Sequence, residues 1–461
     1  MTLEAPTEPP VARLSQRLGH LIHLPGSARY DELRMPWNVA VDQRPAAVAL
    51  PTTPEDVSAV VRAAAELGIR IAPQSSGHGA AMATVAGLND ALLLRTTQFT
   101  GVTIDPERRI ARIGSGAIWD DVVNAAAAHG LAALHGSSPN VSVVGFALGG
   151  GIGWYGRKHG IATNSITAVD LVLADGSYVR ADATQNTDLF WALRGGGGNF
   201  GVVTALEMRL FPVPDAVAGM MLWDISAAEP VLRRWVDWAR TAPDEVTTSF
   251  QIMRLPEMEG MPPFLNGRSL VMIDGGVLTD DDTAAALLAP LRELQPEMDT
   301  FARVPAPALA RIHMDPEDPV PFAGGTVMLT DMDEDAVVMF LDRFGPEAST
   351  GLLMAEIRQL GGAFGRPAPD AGALSHLDGG FLFGLIGMVS TPESAAAIVA
   401  ESAEAVLAFT PWASGSAYLN FADGGAVDSK VGYGADAWAR LLELRRKYDP
   451  NEVFMANHPI R

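Results

Sequence analysis

Ile69-Arg-Ile-Ala-Pro-Gln-Ser-Ser-Gly-His-Gly79 is the stretch that decides the fold. Its first four residues suit a short apolar strand. Its end is a polar loop in which Gly77 and Gly79 flank His78. Ahead of it, Thr53 can cap a helix, Pro54 suits the first turn, and Glu55 and Asp56 complement the positive end of the dipole. Val57, Val60, Val61 and Ala64 recur at helical spacing, and Gly68 stops the helix. With a strand over 47–50, the expected order is strand, helix, strand, glycine loop, and α/β proteins place ligands at such strand ends. Glycine in a polar turn lets backbone N–H groups converge, which suits an anion such as a pyrophosphate. A histidine there can be a ligand, a base or a covalent attachment point, or can simply face water.

A chain of 461 residues exceeds one compact core, so two or three domains are expected. Net charge is −21, from 54 acids against 33 bases, which argues against nucleic acid and anionic membrane surfaces as partners. The chain has no cysteine. Disulfides, thiolate nucleophiles and cysteine-held metal or iron–sulfur centres are therefore excluded. The first residues show neither a basic nor an apolar leader segment, and no apolar run reaches the length of a membrane span. A cytoplasmic location is expected.

Working outward, residues 1–35 read as a loosely held lead-in with a helix over 11–20. Strands are expected over 91–94 and 110–113, a helix over 119–129, and a hairpin over 169–180 with Asp175-Gly176 at its turn. A short helix over 188–194 runs into Gly195–Gly198, and a strand starts at Gly201. From about residue 216 the texture changes. Strands expected over 220–223, 248–255, 270–274, 326–329, 352–360 and 381–389 alternate with helices over 230–240, 280–291, 334–344 and 392–409. Such a pattern makes a sheet backed by helices. A strand over 417–421 and a helix over 437–448 close the chain.

Gly151-Ile-Gly-Trp-Tyr-Gly156 spells the dinucleotide fingerprint, with Asp175 at a suitable distance. A turn precedes it and no helical pattern follows, so the match is accidental. Three glycine clusters in one half of the chain, at 77–79, 149–153 and 195–201, point instead to backbone lying close to a large flat ligand.

Several stretches in order carry a family resemblance: Ser76-Gly-His78; Pro139-Asn-Val-Ser-Val143; Leu148-Gly-Gly-Gly-Ile-Gly153; Asp188-Leu-Phe-Trp-Ala-Leu-Arg-Gly-Gly-Gly-Gly-Asn-Phe-Gly-Val-Val-Thr204; Tyr418-Leu-Asn-Phe421; and Tyr448-Asp-Pro-Asn-Glu-Val-Phe454 with Asn457. Spanning most of the chain, they resemble the berberine-bridge-enzyme-like branch of the vanillyl-alcohol oxidase superfamily. The resemblance implies an α+β fold of the p-cresol methylhydroxylase (PCMH) type. A FAD-binding domain over 1–215, rejoined by 411–461, would carry an antiparallel-sheet substrate domain over 216–410. It implies FAD joined through its 8α-methyl to His78. Where many relatives add a cysteinyl bond this chain has Ser138, so one covalent bond is expected. The cofactor would be held by Gln74, Ser75, Ser76, Gly77 and Gly79, by Ser138, Pro139, Val141, Ser142 and Gly145, and by Gly149, Gly150, Gly151 and Gly153. Gly201, Val202, Val203, Asn420 and Asn457 would complete the set.

The reaction implied is oxidation of a small molecule with dioxygen as acceptor, in a monomer or homodimer. An aromatic or heterocyclic amine or alcohol is the first choice of substrate, a sugar hemiacetal the second, and a non-catalytic flavin-binding protein the alternative of another class. Relatives often end a Tyr-x-Asn-Tyr motif on the tyrosine that takes a proton; here that residue is Phe421, which has none to exchange. Strand alternation would set Tyr418 and Asn420 opposite Phe421. On the strand over 352–360, Met354, Glu356 and Arg358 share a face, and Glu356 is the best acid or base. A solvated Glu/Arg pair is the plain alternative. Tyr155 and His376 are lesser candidates. His20, His23, His129, His135, His159, His313 and His458 show no metal-ligand spacing and read as surface or capping positions. Trp235 and Trp238 fit a helix core face.

Overall fold

The computed structural model describes residues 8–85, 87–422 and 427–461. Its first sheet holds β1 (Ile22–His23), β2 (Ala47–Ala49), β3 (Ile71–Gln74) and β4 (Leu92–Arg95), in the order β1-β2-β4-β3. β2 and β3 both run parallel to β4. The crossover helix Pro54–Glu66 joins β2 to β3. Thr53 Oγ1 accepts from Asp56 N at 3.1 Å, and Asp56 Oδ2 accepts from Thr53 N at 3.1 Å. This reciprocal cap fixes where the helix starts, and Val57, Val60, Val61 and Ala64 are buried on its inner face.

The lead-in is not loose from Glu8 onward; the part before Glu8 lies outside the described residues. Helices Pro10–Leu18 and Ala28–Leu33 bury Leu14 and Tyr30, and the Tyr30 hydroxyl donates to Pro45 O at 2.6 Å. Their amphipathic runs are too short to announce themselves by periodicity.

The second sheet is antiparallel: β5 (Val102–Asp105), β6 (Ile110–Gly114), β7 (Ile166–Val172), β8 (Tyr178–Asp182) and β9 (Val202–Arg209), in the order β5-β6-β9-β7-β8. The glycine-dense segment between β6 and β7 is not all loop. Val143–Leu148 is a helix whose cap, Ser142 Oγ, accepts from Gly145 N at 3.4 Å. Gly156–His159 forms one further helical turn, where the sequence gave no helical pattern. Glycine inside a short helix weakens the local signal while packing supplies the stability.

The third sheet is drawn wholly from the middle of the chain: β10 (Asp215–Asp224), β11 (Val246–Arg254), β12 (Ser269–Val277), β13 (Met298–Asp299), β14 (Ala302–Pro305), β15 (Phe322–Leu329), β16 (Met354–Gln359) and β17 (Phe381–Met388). Its order is β13-β10-β12-β11-β16-β17-β15, with β14 also on β10, and its pairs are antiparallel. Helices Ala228–Thr241, Asp281–Arg292, Glu334–Phe344 and Pro392–Ala408 cover one face. Trp235, Phe250, Phe340, Phe383 and Phe409 are buried in the core between, and Trp238 joins them as expected of a core face. Because strand side chains alternate, the opposite face carries Ser249 and Gln251 of β11, Asp274 of β12, and Glu356 and Arg358 of β16. Register sets Arg358 beside Ser249 and Ser249 beside Asp274, with Gln251 beside Glu356.

No strand forms over 417–421. Leu419–Phe421 is a 3₁₀ turn, and the rings of Tyr418 and Phe421 meet at 5.2 Å instead of facing opposite ways. The final segment returns to β3: Ile71 N donates to Val453 O and Met455 N to Ile71 O, each at 2.7 Å. Asp449 pins that return by accepting from Val453 N at 2.8 Å and Phe454 N at 2.9 Å, with Arg445 Nη1 at 2.6 Å. No described helix is long and apolar enough to cross a membrane.

Candidate functional site

β3 ends at Gln74, whose side-chain oxygen accepts from Arg95, and the chain then turns through Ser75 to Gly79. The backbone N–H groups of these five residues have no hydrogen-bond partner among the described residues. Consecutive free amides in a turn form an anion-binding nest. Gly77 makes the turn possible: its φ is 84°, and a Cβ there would stand 2.8 Å from Pro36 Cβ.

His78 is half-buried in this loop and its ring is held on every side. Trp37 stacks on it with centroids 4.3 Å apart. Ser76 Oγ lies 2.9 Å from Nδ1, and Asn140 Oδ1 lies 3.2 Å from Nε2. Burial lowers its pKa to about 4, with Asn140 and Asp315 pulling weakly the other way, so the imidazole is neutral. Ser138 Oγ donates to the same Asn140 oxygen at 2.8 Å, which sets Ser138 and His78 around one carbonyl. Pro139 O and Val141 O accept from Asp120 N and Trp119 N, fixing this turn on the helix Trp119–Ala127. Ser142 N donates to Ser76 Oγ at 3.2 Å and so ties the two loops together.

The glycine clusters prove to have mixed causes. A Cβ on Gly149 would fall 1.9 Å from Asn420 Oδ1, one on Gly150 3.1 Å from Tyr418 Cε2, and one on Gly153 1.8 Å from His135 O. On Gly151 it would meet Phe146, and on Gly201 it would come 2.6 Å from Val172 O. Glycine at these five positions answers the protein's own packing. A Cβ on Gly145 would meet only the Ser142 side chain, at ordinary contact distance, and one on Gly198 only open space. Val202 and Val203 are buried in separate clusters. Asn457 is exposed. The free amides at 75–79, the neutral His78 and the buried, unpartnered Trp37 Nε1 form a donor set that fits the diphosphate and ring edge of FAD.

A second polar cluster lies on the uncovered face of the third sheet. Glu356 is 4% exposed, and its Oε1 sits 2.8 Å from Arg358 Nε and 3.5 Å from His313 Nε2. Neither Glu356 Oε1 nor Arg358 Nε is aligned for a hydrogen bond, and both stay without a partner. His313 Nδ1 lies 2.5 Å from Asp274 Oδ2. Ser249 donates to Asp274 Oδ1, and Gln251 Nε2 donates to Ser249 Oγ at 3.2 Å. Burial alone would lower the His313 pKa. The carboxylates of Asp274, Asp315 and Glu356 outweigh it and raise the value to about 9, against an opposing contribution from Arg358. The fully buried Asp274 and Glu356 are thereby balanced by two cations, the condition on which such burial is tolerable.

Aromatic rings roof this cluster. Trp154 stands 5.7 Å from the His313 ring, and the Arg358 guanidinium lies 5.3 Å from the Phe421 ring. Ile152, Trp154, Thr247, Thr248, Arg358 and Phe364 line a small cleft beside it. Asp315 accepts from Ser137 Oγ at 2.9 Å, joining the cluster to the turn that precedes Ser138.

The other candidates fare differently. Tyr418 is buried, and its hydroxyl accepts from Gly151 N at 3.0 Å and Ile152 N at 3.1 Å, with Asn420 Nδ2 at 3.1 Å. Burial raises its pKa to about 12, so it anchors the glycine turn and does not exchange protons. Asn420 also donates to Phe146 O at 2.9 Å. Tyr155 is buried in the core with its hydroxyl donating to Ala306 O at 3.3 Å. His376 pairs with Asp378 at 2.9 Å in a loop. His135 and His313 are 1% and 4% exposed, not the surface positions expected. His313, Asp274 and Ser249 are the residues sequence reasoning missed. Period two along 249–251 and 270–274 was the only signal for the latter pair, and none marked His313.

Residues 45–182 match the family described as "FAD binding domain", and residues 417–461 the family "Berberine and berberine like". The chain is 40% identical to the xylooligosaccharide oxidase of Thermothelomyces thermophilus over 40% of its length, which spans 37% of that protein. It is 29% identical to the (R)-6-hydroxynicotine oxidase of Paenarthrobacter nicotinovorans over 96% of both chains. The glucooligosaccharide oxidase of Acremonium strictum, whose structure is described as revealing a novel flavinylation, superposes with a TM-score of 0.83 at 22% identity, covering 99% of each chain. That likeness gives the fold: α+β, of the PCMH type. The anion-binding turn at 75–79 lies inside the first family match, and the 3₁₀ turn with the Asp449 anchor inside the second. With both signatures on one fold, the chain belongs to the berberine-bridge-enzyme-like FAD-linked oxidases.

Proposed function

We propose that this chain is an oxidase that carries FAD on His78 and oxidises a small aromatic or heterocyclic amine or alcohol, with dioxygen as final acceptor. Residues 1–215 with 411–461 form its FAD-binding unit and 216–410 its substrate unit. Bound FAD supplies the acceptor for a hydride and two electrons.

The observation that carries the catalytic assignment is Glu356. It is a buried carboxylate with one oxygen free of hydrogen bonds, set between Arg358 and His313 under aromatic rings. Such a group can take the N–H or O–H proton that leaves as hydride departs from the adjoining carbon. Phe421 cannot. Arg358 and His313 keep Glu356 ionised before the step, and Trp154 and Phe421 offer flat apolar surface to an aromatic ring. The likeness to the hydroxynicotine oxidase along nearly the whole of both chains supports a heterocyclic amine. The higher identity to the xylooligosaccharide oxidase supports a sugar hemiacetal as the second reading.

Anaerobic stopped-flow reduction of the flavin by cyclic amines, aromatic alcohols and oligosaccharides decides between them. Bleaching by amines or alcohols alone supports the first reading. Bleaching by sugars alone replaces it with the second, and a folded, yellow protein that no compound reduces sinks both.

A further inference from the structure

We propose that Asn140 is a positioning residue that selects which nitrogen of His78 carries the flavin, by holding the Nε2 proton and leaving Nδ1 as the nucleophile. The proposal rests on the His78 tether described above.

The hydrogen bonds determine the tautomer. Asn140 Nδ2 donates to Pro316 O at 3.2 Å and to Glu317 O at 2.7 Å, so its amide cannot be reversed without setting carbonyl oxygen against carbonyl oxygen. Its Oδ1 therefore faces Ser138 Oγ and His78 Nε2. A carbonyl oxygen only accepts, so Nε2 bears the hydrogen. On the other side of the ring, Ser76 Oγ already accepts from Ser142 N, and its own hydrogen is free to be donated to Nδ1. Both ends of the imidazole thus specify one state: Nε2–H, with the lone pair on Nδ1.

The two carbonyls that orient Asn140 belong to the segment that begins at His313. Met314 takes left-handed backbone there, with φ 57°. That turn separates His313, which faces the sheet cluster, from Pro316 and Glu317, which face Asn140. The substrate-side segment therefore presets the histidine on the cofactor side.

In forming the tether, Nδ1 bonds to the carbon of the flavin 8α-methyl. One methyl proton and the Nε2 proton are released, and the electron pair of the broken C–H bond reduces the flavin ring. Dioxygen reoxidises the ring and becomes hydrogen peroxide. Asn140 is not consumed; it fixes which nitrogen begins the step.

The test uses the full chain expressed with FAD. Proteolysis of the wild type and NMR of the flavin peptide should place the bond wholly at Nδ1 of His78. Bonding at Nε2 overturns the proposal without any variant. A colourless acid pellet, or flavin on another residue, overturns the tether reading itself and this proposal with it. In Asn140→Ala that folds and binds FAD, covalent incorporation should slow about tenfold, the worth of one lost hydrogen bond, and the peptide should contain both Nδ1 and Nε2 isomers. Unchanged rate with Nδ1 linkage alone would show that Asn140 selects nothing.

Discussion

The indole of Trp37 lies flat against the imidazole of His78, with centroids 4.3 Å apart and planes 15° from parallel. A flat neighbour blocks rotation of the histidine ring without using its nitrogens. Trp37→Ala should lower the fraction of flavin retained in the acid-precipitated pellet, while Trp37→Phe retains most of it. Equal retention in all three proteins would show that the stack has no part in seating the ring.

Glu356→Gln keeps the size of the side chain and removes its basicity. Flavin reduction by the best substrate should slow by about a hundredfold or more, the usual worth of a positioned base. FAD content and spectrum should not change. Reduction at the wild-type rate in stopped-flow would remove Glu356 from the chemistry.

His78 should stay nucleophilic in mildly acid solution. A free imidazole is half protonated near pH 6.5, whereas burial holds this one neutral down to about pH 4. Covalent incorporation of FAD should therefore be level between pH 8 and about pH 5. A fall in rate centred near pH 6.5 contradicts the buried, neutral ring.

His313 gives a stability signature of opposite sign. Its folded-state pKa, about 9, exceeds the ordinary value of 6.5. The folded state therefore holds a proton that the unfolded chain gives up between these values, and stability falls as pH rises through that window. The melting temperature should decline from pH 6.5 to pH 9, and that decline should shrink in Asp274→Asn, which removes the carboxylate nearest the ring. An identical slope in the variant would show that the pair does not set the titration.

Asp449 ends the last helix, pairs with Arg445 and accepts from two backbone amides while 1% exposed. Removing one partner of a buried ion pair strands the other, so Asp449→Asn should cost about 3 kcal/mol. Urea unfolding measures this, and a change within 0.5 kcal/mol, about the effect of an ordinary surface substitution, would contradict it.

What could be read from the chain was what is local. The cap at Thr53, the anion loop at 75–79 and the helices behind the third sheet follow from residues that are neighbours in sequence. The alternation of Met354, Glu356 and Arg358 placed Glu356 on the right face of β16 for the same reason. His313 was illegible because its partners come from β12 and β16, which meet its loop only when the sheet is assembled. Ala417 to Phe421 misled because an apolar, aromatic run favours strand by propensity, while here the burial of Tyr418 under the glycine turn decides its shape. The glycines at 149–153 and 201 looked like room for a ligand, and sequence could not show that Asn420, Tyr418, Phe146, His135 and Val172 already occupy it.

Close beside Trp37, Asn38 is 4% exposed, with Nδ2 donating to Phe322 O at 3.1 Å and Oδ1 accepting from Phe322 N at 3.3 Å. Phe322 opens β15, the terminal strand of the third sheet. One side-chain amide thus imitates the backbone of a neighbouring strand and uses up the donor and acceptor that this end of the sheet would offer. An open sheet margin is a template on which a second chain can stack and begin to aggregate. At Phe322 that template is shut by the turn that also seats Trp37 against His78.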